Sequence, residues 1–212
     1  MTGTPGSARP PGWLADLAAE AAAAEFGPLA LPPDAGGKPS AVLILFGNEP
    51  DLLFIQRSNQ LRSHPGQPAF PGGSIDAADD GPVAAALREA AEETGLDPAG
   101  VQVLATMPEL YIPRTGFRVV PVLAWWREPS PVAPVDTAEV AAVKRIAVAD
   151  LADPAVRVMV RGPSGYASPA FRVSGLLIWG FTALLVDRLL TLGGWARPWD
   201  TAMVVDLPQT VR

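Results

Sequence analysis

Residues 72 to 96 read GGSIDAADDGPVAAALREAAEETGL, and the reading of this stretch decides the fold. Its second half predicts a helix. Alanines dominate it, Pro82 suits a first helical turn, and Gly95 stands where a helix stops. Within that helix, Arg88-Glu89-x-x-Glu92-Glu93-x-Gly95 carries three carboxylates. At about 100° per residue, Glu89, Glu92 and Glu93 fall within roughly one third of the circumference, and Val83, Leu87, Ala90, Ala91 and Thr94 take the opposite face. Like charges three and four residues apart repel, each pair by roughly a few tenths of a kcal/mol. A helix serving only packing would interleave lysines. A hard divalent cation shared with substrate phosphates removes the repulsion and gives the cluster a purpose. The plainer alternative is a solvated acidic face.

Phe70-Pro71-Gly72-Gly73 precedes this helix by a short loop. Adjacent glycines let the backbone approach a ligand closely, and a free carbonyl there can add an oxygen ligand to a carboxylate-bound metal. With these residues in hand, the segment resembles the Nudix box, G-x5-E-x7-R-E-U-x-E-E-x-G-U, where U is aliphatic. The match holds at Arg88, Glu89, Ala90, Glu92, Glu93, Gly95 and Leu96. The first half departs from the pattern. Counted from Gly73, Asp79 stands at the box glutamate and one extra residue precedes Arg88; if Asp80 is taken instead, Ser74 falls on the glycine.

Upstream, residues 53 to 73 read LFIQRSNQLRSHPGQPAFPGG. They are similar to the additional motif of the coenzyme A pyrophosphatase branch of Nudix hydrolases, L-L-T-x-R-[SA]-x3-R-x3-G-x3-F-P-G-G. Leu53, Arg57, Ser58, Arg62, Gly66, Phe70, Pro71, Gly72 and Gly73 fall in register, while Phe54 and Ile55 replace the second leucine and the threonine.

The resemblance implies an α/β (α+β) fold, an αβα sandwich around a mixed sheet. It implies Mg²⁺ or Mn²⁺ held by Glu89, Glu92 and Glu93, with the Gly73 carbonyl added. Arg88 would orient the catalytic carboxylates, and Glu93 or Glu89 would act as general base. Glu139, in Asp136-x-x-Glu139-Val140, is a further ligand or base by the same resemblance. Arg57, Arg62, His64 and Gly72 would meet the substrate, since arginine presents a two-pronged donor set to phosphate. A structural ion pair is the alternative for Arg57, and a turn cap for His64. Asp79 supports the box helix or is a surface aspartate. Arg114, in a loop before a strand, is open to a substrate-facing role.

The favoured reaction is metal-dependent cleavage of the diphosphate of coenzyme A or its thioesters to 3′,5′-ADP and 4′-phosphopantetheine or its acyl form. A Nudix hydrolase of another nucleoside diphosphate derivative and a non-catalytic ligand-sensing domain are the rivals. The retained glutamates weigh against the sensor. The upstream motif weighs against other substrates.

Composition narrows the classes further. The 212 residues suit one substantial core, burying about 70% of the unfolded surface. No cysteine is present, so disulfides, zinc thiolates and thiol catalysis are excluded, in keeping with a reducing, cytoplasmic setting. One histidine makes a serine-histidine triad unattractive, and a net charge of −6 argues against nucleic acid as partner. The polar residues 1–12 carry no apolar leader, and the apolar run 175–186 is too short to span a bilayer, which argues against a membrane partner.

Along the chain, an N-terminal unit (1–39) comprises a helix over 13–25, packing through Trp13, Leu14, Leu17 and Phe26, and a Pro/Gly-rich linker over 27–39. The Nudix domain is expected over 40–195. Its strands are expected at 40–46, 52–57, 101–108, 117–126, 139–147 and 156–160, and its last helix at 174–191. The tail 196–212, with Arg197-Pro198-Trp199 and Val204-Val205, reads as an arm, a homodimer contact or loose chain.

Overall fold

The computed structural model of the protein describes residues 9–32, 35–61, 64–162, 165 and 167–207. Arg62, expected to contact substrate, lies outside the described residues. The chain opens with helix α1 (Gly12–Ala22), followed by strands β1 (Lys38–Phe46), β2 (Asp51–Arg57), β3 (Pro68–Ala69) and β4 (Gly72–Ser74). Helix α2 (Gly81–Thr94) is the acidic helix, and β5 (Val101–Thr106), β6 (Leu110–Ile112), β7 (Phe117–Trp126) and β8 (Val140–Ala147) come next. The remainder comprises the short helix α3 (Val148–Leu151), β9 (Arg157–Arg161), β10 (Ala167–Val173), β11 (Leu176–Ile178), helix α4 (Gly180–Leu192) and β12 (Val204–Asp206).

Strand β1 explains the layering. Its apolar run alternates between two cores, with Ile44 and Phe46 facing one way and Ala41, Leu43 and Leu45 the other. A strand buried on both faces reads as continuous hydrophobic sequence. β1 pairs parallel with β7 from Lys38↔Phe117 to Phe46↔Trp125, and antiparallel with β4. β2 crosses to pair with β8 and β3, and β7 also takes β5 and β6, giving a mixed sheet. α1 and α4 cover one face through Leu14, Leu17, Leu185 and Leu189, and α2 covers the other through Ala85, Ala86 and Ala90. The αβα sandwich with mixed sheet is therefore present.

The acidic helix carries its expected signals. Pro82 sits in the first turn, and Gly95 adopts φ 70°, its N–H donating to the Ala91 carbonyl at 2.9 Å. Its packing face differs from the expected one. Ala85, Ala86, Ala90 and Thr94 are fully buried, while Val83, Leu87 and Ala91 are only half-buried. Small residues let the helix lie close to β1, and the glutamates come to stand beside the buried stripe rather than opposite it.

The expected helix over 174–191 is corrected. Leu176–Ile178 form β11, paired antiparallel with β10, and the helix starts only at Gly180. Ser174 (φ 52°) and Gly175 (φ 75°) make a two-residue turn between Val173 and Leu176, the geometry that joins tightly twisted hairpin strands. Strand β10 was not expected. It lies between β11 and β9 in a second, four-stranded sheet whose other edge is β12, running parallel to β9. The tail thus pairs with the domain through Val204 and Val205. Trp195 packs edge-on against Trp13 with ring centroids 5.5 Å apart, and Trp199 lies over the buried Arg157 guanidinium at 4.6 Å. Arg157 in turn pairs with Asp187 of α4.

The close seating of α2 has a measurable consequence. Ala90→Leu adds three heavy atoms between helix and sheet, an overpacking that costs about 1–3 kcal/mol, and thermal melting should shift down by roughly 2 to 12 °C. An unchanged melting temperature would show that α2 is not held as closely as described.

Candidate active site

Two elements without side chains meet the acidic helix. A Cβ built on Gly73 would lie 2.5 Å from the Glu89 carboxyl carbon, so only glycine leaves that carboxylate its place. A Cβ on Gly72 would collide with the Ala41 carbonyl and the Val42 Cα. The Gly72 N–H donates to Glu93 Oε2 at 3.0 Å, tying β4 to the last turn of α2.

Register decides which carbonyl faces the helix. Leu43 N–H donates to the Pro71 carbonyl and Ile75 N–H to that of Pro39, which places Ala41 and Gly73 in the hydrogen-bonded position between them. The trans peptide joining Gly72 to Gly73 then directs its N–H at β1 and its carbonyl away, toward the side of Glu93. Gly72, rather than the expected Gly73, presents the available oxygen.

Arg88 is the hub on the outer side. Its Nε and Nη2 donate to the two Asp79 oxygens, both at 2.9 Å, and Nη2 also reaches the Ser74 carbonyl at 3.0 Å. Its Nη1 donates to Glu89 at 3.1 Å and to Glu92 at 3.0 Å. The fork thus binds helix, loop and β4 together, and each carboxylate restrains one of its edges. Asp79, whose alternatives were a helix support or a loop-surface residue, is the support. Its side chain is only 6% exposed, and the Arg88 guanidinium holds its carboxyl below the usual carboxylate range.

The three box glutamates part company. Glu92 is 60% exposed and turned to Arg88, whereas Glu89 and Glu93 are half-buried against β4. Among the described residues, no group of three acidic or imidazole side chains converges on one metal position. Burial, reinforced by the neighbouring Glu89 charge, pushes the Glu93 carboxyl up to about 7, and burial also raises Glu89. Two half-buried carboxylates that resist ionising side by side are a donor set a divalent cation suits, with the Gly72 carbonyl as a third oxygen.

The opposite wall is basic. Arg57 ends β2 opposite a bulge in β8, where Ala141 is the extra residue, and its Nε is buried with no hydrogen-bond partner among the described residues. No ion pair engages Arg57 among those residues. Its charge acts on both Glu93 and His64. His64 begins the turn His64-Pro65-Gly66-Gln67, where proline precedes a glycine at φ 69° and Gln67 N–H returns to the His64 carbonyl at 3.3 Å. The imidazole pKa is lowered, first by burial and then by Arg57, with Arg114 adding to the effect and a hydrogen bond to Gln67 opposing it. Glu139 is exposed at the mouth of β8, its carbonyl accepting from Ser58 N–H at 2.8 Å, and its charge is felt by Glu93.

The structure therefore gathers Glu89, Glu93, Gly72, Gly73, Arg57, His64 and Glu139 around one end of α2. Arg88 stands behind as a positioning residue, and Glu92 faces outward. Sequence reading does not single out Gln67, which holds His64; its signal is the proline-glycine turn that returns the chain to β3.

On an αβα sandwich, two half-buried carboxylates thus stand within reach of the charge of an arginine whose Nε has no hydrogen-bond partner among the described residues. The NUDIX domain family model matches residues 37–161, and the chain belongs to that family. Over 74 residues it is 50% identical to an uncharacterized Nudix hydrolase, NudL, of Citrobacter koseri, a stretch covering 35% of this chain and 38% of that protein. The NudL of Escherichia coli K12 matches at 48% over 75 residues, again 38% of its length. The chain thus aligns with well under half of these curated relatives. Among solved structures, the Nudix hydrolase RenU of M. smegmatis superposes with a TM-score of 0.51 at 20% identity, covering 78% of this chain and 90% of that one. A NUDIX hydrolase from Nitrosomonas europaea gives 0.51 at 13%, covering 81% and 80%. These two likenesses concern the fold.

The raised Glu93 carboxyl sets a pH dependence for the metal-free protein. Its folded pKa of about 7 exceeds the ordinary 4.5, so between these values the folded chain keeps a proton that the unfolded chain has lost. Stability then falls as pH rises through that window. Glu93→Gln should flatten this decline, so that in chelator the variant gains on wild type from pH 5 to 8, about 4.5 to 7 being the window of change. Parallel melting curves for the two proteins across this range would contradict the burial described for Glu93.

Proposed function

We propose that the protein is a metal-dependent hydrolase of the diphosphate in coenzyme A or its thioesters, yielding 3′,5′-ADP and 4′-phosphopantetheine or its acyl form. The observation that carries the reading is the pairing of half-buried Glu89 and Glu93 with Arg57, whose charge reaches Glu93 and whose Nε has no hydrogen-bond partner among the described residues. Carboxylates alone would repel a diphosphate, and cations alone would bind it without activating water.

Glu89, Glu93 and the Gly72 carbonyl would hold Mg²⁺ or Mn²⁺. Bound there, the ion supplies neutralisation of the diphosphate charge and a lowered pKa for water. The protein's own groups do the rest. Arg57 presents its guanidinium to the diphosphate, and a phosphate beside His64 favours the protonated imidazole that Arg57 and burial otherwise suppress. Arg88 fixes the rotamer of Glu89 through the Asp79 clamp. A carboxylate accepts the proton of the attacking water, with Glu93 or Glu89 inside the cleft and Glu139 at its mouth as the candidates. Water adds across one P–O bond of the anhydride, giving two phosphomonoesters. The choice of coenzyme A among nucleoside diphosphate derivatives rests on the motif carrying Arg57, Ser58, Gly66 and Phe70-Pro71-Gly72-Gly73.

The test is a substrate panel with products identified by mass. Coenzyme A with saturating Mg²⁺ or Mn²⁺ should release 3′,5′-ADP, and a chelator should abolish the release. Glu93→Gln should slow turnover by at least about a hundredfold. Arg57→Ala should lower kcat/KM by roughly tenfold to a hundredfold, the effect of a lost charged contact. Ready cleavage of a dinucleotide or nucleotide sugar with coenzyme A untouched would overturn the substrate. No metal-dependent cleavage of any diphosphate would overturn the hydrolase.

A further inference from the structure

We propose that a groove beyond the phosphate-facing residues seats the neutral, amide-bearing arm of the substrate, so that the β10–β11 hairpin selects the pantetheine portion; this rests on the function proposed above. A cavity of about 180 Å³ lies between the turn after β2 and the hairpin. Gln56, Asn59 and Gln67 line one side, and Leu176, Leu177 and Trp179 the other. A second cavity of about 450 Å³ shares Gly175, Leu176 and Leu177 with the first and continues it to Val205 of β12. That second cavity is also bordered by the charged Arg172 and Asp206, so the uncharged lining belongs to the nearer one.

Its near end joins the active site through Gln67. That residue lines the cavity, accepts the Arg57 N–H on its carbonyl at 2.9 Å, and holds the His64 side chain. Gln67 and Gly72 are five positions apart in the chain, so even fully extended chain sets them no more than about 18 Å apart. A group on the outer phosphate of a diphosphate met by Arg57 would reach the nearer cavity past Gln67.

The lining indicates what that group is. Among the described residues, no charged side chain borders the nearer cavity, which disfavours a 3′-phosphate there. The side-chain amides of Gln56 and Asn59 can donate to and accept from the amide groups of an extended arm. Leu177 and Trp179, on one face of the segment, then cover its methylene and gem-dimethyl carbons, while Leu176 turns into the main core. Leu177 lies in β11, between the Ser174-Gly175 turn and α4, and Trp179 directly follows that strand, so the strand in this segment is what builds the wall.

The test uses two substrates with the same nucleotide and diphosphate: coenzyme A and adenosine 3′-phosphate 5′-(methyl diphosphate), which lacks the arm. Asn59→Trp fills the mouth from an exposed position, and Leu177→Arg places charge on the apolar wall. In both variants the ratio of kcat/KM for coenzyme A over the methyl ester should fall about tenfold or more. Calorimetric binding of 4′-phosphopantetheine, which needs no turnover, should weaken in parallel. Coenzyme A cleavage with a ratio within about twofold of wild type in both variants would overturn the groove and leave the hydrolase standing. A wild type that cleaves neither substrate, yet binds 4′-phosphopantetheine in a Leu177-dependent manner, would overturn the hydrolase and keep the groove. Absence of both cleavage and binding would overturn both.

Discussion

The approach of helix α2 to a strand made of two glycines governs the rest of the structure. Ala85, Ala86 and Ala90 bring the helix down onto β1, and Gly72 and Gly73 leave the space that Glu89 and Glu93 occupy. A larger residue on either side would separate the carboxylates from β4. Because the seating is close, Glu93 loses water on most sides and keeps one hydrogen bond, from Gly72 N–H. The raised Glu93 pKa follows from this geometry, and so does the suitability of the place for a divalent cation.

Holding two carboxylates half-buried side by side costs stability, and the Arg88 fork offsets part of it. One guanidinium serves Asp79, Glu89, Glu92 and the Ser74 carbonyl at once. Its charge ties the helix, the loop and β4 together. The cationic side of the site is Arg57, at the end of β2 opposite a bulge at Ala141 of β8, its Nε without a hydrogen-bond partner among the described residues. The acidic side of the site is thus fixed by its own arginine, while Arg57 has no ion pair among the described residues.

Much of this was legible in the sequence. The helix, its proline start and its glycine stop follow from local conformational preference, and β1 and β7 follow from apolar runs too long and too β-branched for a surface element. The box residues gave the acidic wall. Their division into two inward carboxylates and one outward was not legible, because helical angles alone do not reveal where a glycine strand lies against the helix. Asp79 was obscured by the one-residue offset in the loop; the Asp76–Asp79 turn absorbs the extra residue and returns the carboxylate to Arg88. The stretch GLLIW was read as helix because a short apolar run fits helix and strand alike. Ser174 and Gly175 were the signal, being a pair that tolerates positive φ at both hairpin positions. The tail strand β12 was hidden among prolines, glycines and tryptophans, and its partner β9 shows only in three dimensions.

The most direct test of the acidic wall is to locate the cation. Crystals grown with Mn²⁺ and a non-hydrolysable coenzyme A analogue, measured at the manganese edge, give an anomalous peak that needs no prior assumption about ligands. The expected peak lies between the Glu89 and Glu93 carboxylates, on the side of the Gly72 carbonyl, with Glu92 still turned to Arg88. A manganese ion bound elsewhere, with Glu89 and Glu93 left uncoordinated, would contradict the account.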